Sequence, residues 1–125
     1  MIDPGNPRRA ADLIVTGTAA VNTAVTISLP SVTGQFHYIT LIHLLKYYSV
    51  VGVAGAPVVI TTTNLPGSLA FSMQQSAAAA GNVYEQNFQP AIPLKSSAIT
   101  TATTIVAPAQ LQTIWRLTAW YYAAA

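Results

Sequence analysis

FHYITLIHLLKYYSVV, residues Phe36 to Val51, is the stretch that decides the fold. It is aromatic and β-branched and carries one formal charge, Lys46. Taken as a strand, it turns His37, Ile39, Leu41, His43, Leu45 and Tyr47 to one side. Phe36, Tyr38, Thr40, Ile42, Leu44, Lys46 and Tyr48 turn to the other. Neither side is polar enough to be a wet face, which would alternate cleanly with a buried one. The Tyr and Ile content, with Gly34 just before and Gly52 just after, favours a strand over a helix. The expectation is a strand covered on both faces. One face packs the domain's own core, and the other meets a second sheet layer or a second subunit.

Composition points the same way. A chain of 125 residues fits one domain with a real core. Only 6% of it is charged, against roughly 25% in ordinary globular proteins. So few charges leave little to keep an isolated monomer's surface soluble. Disorder does not explain this, because disordered chains are poor in apolar residues and this one is 52% hydrophobic. Copies of itself, or a larger assembly, are expected to cover much of its surface. The net charge of +2 comes from scattered basic residues, of which only Arg8 and Arg9 are adjacent. Nucleic-acid affinity needs clustered phosphate contacts, so no nucleic-acid partner is expected. With no cysteine, stability does not depend on disulfides. The apolar window Leu41–Ile60 contains Lys46, Gly52, Gly55 and Pro57 and makes a poor spanning helix, so no membrane partner is expected.

Residues 1–12, MIDPGNPRRAAD, hold two prolines and half of the chain's charges, and read as an extended arm without a core of its own. Residues 13–125 read as a single β domain. Strands are expected at Leu13–Thr18, Thr23–Leu29, Phe36–Val51, Val58–Thr63, Leu69–Met73 and Asn82–Phe88. Three more follow at Leu94–Ala98, Thr100–Ala107 and Ile114–Tyr122. A turn is expected near Asn22, and Asn64-Leu65-Pro66-Gly67 has the proline–glycine order of a type II turn. The last strand sets Ile114, Arg116, Thr118, Trp120 and Tyr122 against Trp115, Leu117, Ala119 and Tyr121. About eight short strands and no convincing helix predict an antiparallel β-sandwich, jelly-roll-like, with an immunoglobulin-like sandwich as the rival.

No reaction chemistry is visible, and the chain is not expected to be an enzyme. Two of its three acids, Asp3 and Asp12, fall in or at the end of the arm, which leaves Glu85 alone on a strand. A carboxylate pair on rigid strands is therefore hard to assemble. His37 and His43 share a predicted face but stand roughly 20 Å apart at about 3.3 Å per residue, too far for one metal ion. No nucleophile-elbow or phosphate-cradling motif occurs, and no cofactor or metal is implied. The aromatics Tyr47, Tyr48, Trp115, Trp120 and Tyr122 read as core residues and interface anchors. A sugar-stacking platform is their alternative use. With Arg8, Arg9, His37, His43 and Arg116 they make up the expected oligomer or assembly interface.

The strings Thr61-Thr-Thr-Asn-Leu-Pro-Gly-Ser68, Pro93-Leu-Lys-Ser-Ser97 and Thr103-Thr-Ile-Val-Ala-Pro108 precede the aromatic strand from Trp115 to Tyr122. Together they resemble small structural proteins of tailed bacteriophages, in particular the capsid decoration, or cement, proteins. The likeness is one of texture and covers roughly Pro57 to Tyr122. It implies a homotrimer on the outer surface of a virion, clamped to the lattice of the major capsid protein. It carries no catalytic motif. The competing expectations are a carbohydrate-binding β-sandwich module and another minor head or tail protein.

Overall fold

Strand β3 (Phe36–Tyr48) runs antiparallel to β9 (Thr113–Ala124) along its whole length, and the other strands are arranged around this ladder. The computed structural model describes residues 13–52, 55–73 and 79–125. The remaining strands are β1 (Leu13–Thr18), β2 (Val25–Leu29), β4 (Val58–Thr63), β5 (Ala70–Met73), β6 (Val83–Phe88), β7 (Leu94–Lys95) and β8 (Thr103–Ala107). The larger sheet has the order β1-β9-β3-β6, with β7 also paired to β3. The smaller has the order β2-β8-β4-β5.

Among the described residues, setting aside the two-residue β7, eight strands remain, and their pairing is nested. First pairs with last (β1·β9), second with second-last (β2·β8), third with third-last (β3·β6), and the middle two with each other (β4·β5). All pairs are antiparallel. That nesting is a long hairpin wrapped into two facing sheets, a jelly roll. The immunoglobulin alternative pairs β1 with β2 in one sheet. Here these two strands lie in different sheets.

Alternation builds the core. Ile27, Leu29, Ile60 and Ile105 from the small sheet meet Ile39, Ile42, Leu44, Trp115 and Leu117 from the large one, all fully or almost fully buried. β9 divides as its sequence predicts: Trp115, Leu117, Ala119 and Tyr121 face inward and are buried, while Ile114, Arg116, Thr118, Trp120 and Tyr122 face outward.

β3 does not follow simple alternation. Its register against β9 shifts between Ile39 and Leu41, a β-bulge that leaves Thr40 as the extra residue. The bulge reverses the phase of the strand. His37 and Ile39 are buried before it, and Ile42, Leu44, Lys46 and Tyr48 after it. The predicted common face for His37 and His43 is therefore corrected: His37 points into the core and His43 points out.

Two predicted strands are shorter than expected, for one reason. Asn64, in a left-handed conformation (φ 59°), reaches across to the segment between β7 and β8. Its Nδ2 donates to Thr101 O (3.2 Å) and Thr103 Oγ1 (3.0 Å), and its Oδ1 accepts from Ala98 N (2.9 Å). Ser97 N also donates to Asn64 O (3.0 Å). Those bonds draw residues 97–101 away from the sheets, and Thr100 itself has positive φ (55°). The turn at Pro66–Ser68 is a short 3-10 turn in which Gly67 takes the positive φ (67°) that its sequence signal requires.

At one margin of the sandwich, β1 closes against β2 through Gly17. A Cβ at that position would stand 2.5 Å from Ile27 Cγ2 and 3.1 Å from Val25 Cγ2. Ile27 is buried and stiff at χ1, so it cannot swing aside. Gly17→Ala is expected to destabilise the fold by about 1–3 kcal/mol through overpacking. Urea unfolding measures this, and an unchanged midpoint contradicts it.

Candidate functional site: the outer face of the large sheet

The outward side chains of the large sheet stand in rows set by the strand register. Ile14, Trp120 and Leu41 form one row. Thr16, Thr118, His43 and Asn87 form the next, then Thr18, Arg116, Leu45 and Glu85, then Ile114, Tyr47 and Val83. Beyond the first row, Tyr38 stacks on Tyr122 with centroids 5.0 Å apart and planes 9° apart. Most of these side chains are apolar, aromatic or uncharged. Ile14 is 61% exposed and Val83 is 51% exposed.

Charge on this face is sparse. His43 Nε2 lies 3.0 Å from Glu85 Oε2, a diagonal pair between β3 and β6. Glu85 is an exposed residue of the edge strand β6, as its polar neighbours in the sequence predict. Arg116 is exposed between Thr18 and Leu45. Among the described residues no group of three His, Cys, Asp or Glu side chains could hold a metal ion.

A cleft of about 330 Å³ opens on the same face beside the bulge. Thr40, Leu41 and Trp120 line one part of it. Gln89, Pro90, Ala91 and Pro93, from the segment between β6 and β7, line the other. Thr40 Oγ1 donates to Trp120 O (3.0 Å), so the bulge residue is fixed to β9. Ile92, in the same loop, is 80% exposed. Pro90 and Pro93 lie between the strands expected to end at Phe88 and to begin at Leu94, where the sequence pointed to no site. The available signal was a threonine inside an otherwise apolar run, facing two prolines at the end of the strand beside it.

The expected interface residues therefore separate by face. His43, Tyr47, Arg116, Trp120 and Tyr122 lie together on the outer face. His37, Tyr48 and Trp115 lie inside, where they meet the core and not a neighbour. Arg8 and Arg9 lie outside the described residues.

His37 Nε2 donates to Pro30 O (2.8 Å), which makes Nδ1 the acceptor from Thr103 Oγ1 (2.7 Å) in the neutral ring. Its ring meets Tyr121 edge-on at 5.6 Å. Trp115 Nε1 donates to Pro108 O (3.0 Å). Burial of Tyr121 raises its phenol pKa above the ordinary 10.0.

Lys46 is the unexpected member of the interior. Its stem is buried, and its Nζ stands 5.4 Å from the Tyr48 ring, 5.4 Å from Tyr84 and 5.9 Å from Trp115. Three ring faces partly replace water for the ammonium group. Burial nevertheless lowers its pKa below 10.5. The folded chain thus releases this proton before the unfolded chain does. Stability from this group rises as pH climbs from the lowered value to 10.5. Tyr121 acts in the opposite sense above 10.0.

A Lys46→Met comparison cancels the tyrosine. The wild-type chain should gain unfolding free energy relative to the methionine variant as pH is raised toward 10.5. Parallel curves in guanidinium titrations across that range contradict the assignment.

No protein-family model matches the chain, and the search of curated proteins returns no match.

Proposed function

We propose that the protein is a structural component of a bacteriophage head, a self-associating decoration protein that binds the outside of the capsid and stabilises it. The observation that carries this reading is the outer face of the large sheet. There the outward apolar and aromatic rows of Ile14, Trp120 and Leu41 and of Ile114, Tyr47 and Val83 flank a band of threonine, Asn87, His43, Arg116 and Glu85, in a chain that is 6% charged overall. Exposed apolar patches of this kind mark interaction surfaces. The jelly roll adds a fold-level analogy, since viral capsid and lectin domains use it.

Magnitudes allow the assembly. A contact of about 1,000 Å² of mostly apolar surface contributes about 25 kcal/mol gross at 25 cal/mol per Å². Association costs on the order of 4–15 kcal/mol. A closed ring, with three subunits as the expected number, suits a lattice of repeated sites.

Light scattering should give a homo-oligomer, and capsids lacking the protein should break at lower temperature than decorated ones. Ile14→Asp should separate the subunits while changing the stability of the single chain by only about 0.5 kcal/mol, because Ile14 is already exposed. A chain that stays monomeric and ignores capsids rules the reading out.

The cleft supports a second reading, a carbohydrate-binding module, because Trp120 stands in it beside Leu41. Only Trp120 can report such binding, since Trp115 is wholly buried. A change in tryptophan emission with one class of glycan, lost in Trp120→Phe, is the expected result. Silence across a glycan array removes this reading.

A further inference from the structure

We infer that the outer face of the large sheet packs on the same face of a second copy about a two-fold axis running along β3, with Arg116 of each chain paired to Glu85 of the other. This rests on the self-association in the decoration reading. It makes the contact on this face a pair, where that reading alone expects three subunits.

Charge decides the arrangement. Arg116 on β9 and Glu85 on β6 stand in one row on either side of Leu45, two strand spacings or about 10 Å apart. Both are exposed. Glu85 gives one oxygen to His43 (3.0 Å) and keeps the other, while Arg116 forms no ion pair among the described residues. Lys95 lies over the Phe36 ring (4.1 Å), near the opposite end of β3. The middle of the face therefore carries one acid and one base, set apart within the chain.

Such a couple can meet its own copy in two ways. With the two-fold axis along the row, Arg116 would meet the partner's Arg116 and Glu85 the partner's Glu85. Like charges brought together across an interface oppose association. With the axis along β3, the row is reversed end for end. Arg116 then stands over the partner's Glu85, Glu85 over the partner's Arg116, and Leu45 meets its own copy at the axis. A contact of this kind is isologous, each chain offering what the other takes up.

The same rotation matches the neighbouring rows. On one side Ile114 of β9 meets the partner's Val83 of β6, apolar on apolar. On the other side Thr118 meets the partner's Asn87, two uncharged hydrogen-bonding groups. Sheets packed face to face keep their strands within about 30° of one another, so rows close to the axis stay opposed.

Charge reversal tests the pairing, because Arg116 and Glu85 are exposed and their exchange leaves the core untouched. Light scattering and native mass spectrometry at one fixed concentration should show wild-type dimers. Arg116→Glu and Glu85→Arg should each keep the wild-type circular dichroism and weaken the dimer about tenfold or more. Mixing the two variants should give the heterodimer and neither homodimer, since opposite charges then face each other at both positions. Arg116→Glu with Glu85→Arg in one chain should restore the homodimer. Homodimers that persist in both single variants, or a mixture that stays dissociated, overturn the proposal while self-association through another face stands. A wild-type trimer overturns the two-fold arrangement alone. A wild-type monomer removes the proposal together with self-association.

Discussion

The ladder between β3 and β9 is the constraint on which the rest of the structure depends. Both are long strands at the centre of the large sheet, and each carries a buried side and an outer side that mixes aromatic and aliphatic residues with polar ones such as His43, Arg116 and Thr118. Because the pairing of third strand with last fixes the middle of the sheet, β1 and β6 can only add at its margins, and the nested hairpin follows. The single irregularity in the ladder, the bulge at Thr40, does two things. It turns Ile42, Leu44, Lys46 and Tyr48 toward the core after His37 and Ile39, and it sets Leu41 and Trp120 side by side on the outer surface.

How much of this was legible depends on the range of the interaction. Strand positions and the sandwich class were readable because turn residues such as Asn22 and Gly67 sit where the backbone needs positive φ. The two faces of β9 were readable because its alternation is unbroken. The phase of β3 was not, because a bulge adds a residue without a compositional mark. The shortened strands after Leu94 and Thr100 follow from bonds to Asn64, a residue distant in sequence. Likewise, the cleft forms only when the β6–β7 segment is laid beside β3, across from Trp120.

Lys46 shows the same limit in energetic form. As a lone charge in an apolar run it gives no hint of its destination. The fold gathers Tyr48, Tyr84 and Trp115 from three strands around it. Those rings soften a desolvation cost that would otherwise weigh against placing an ammonium group between sheets.

The Asn64 side chain has a consequence for the protein's lifetime. One amide cross-links the end of β4 to the loop leading into β8, using both its donor and its acceptor ends. Conversion of that amide to a carboxylate, by mutation or by slow hydrolysis, would turn a donor toward Thr101 O into a negative oxygen facing another oxygen. Thr103, which also holds His37, would lose its partner on that side. Chemical ageing at this single position would therefore loosen a loop and the histidine beneath it together.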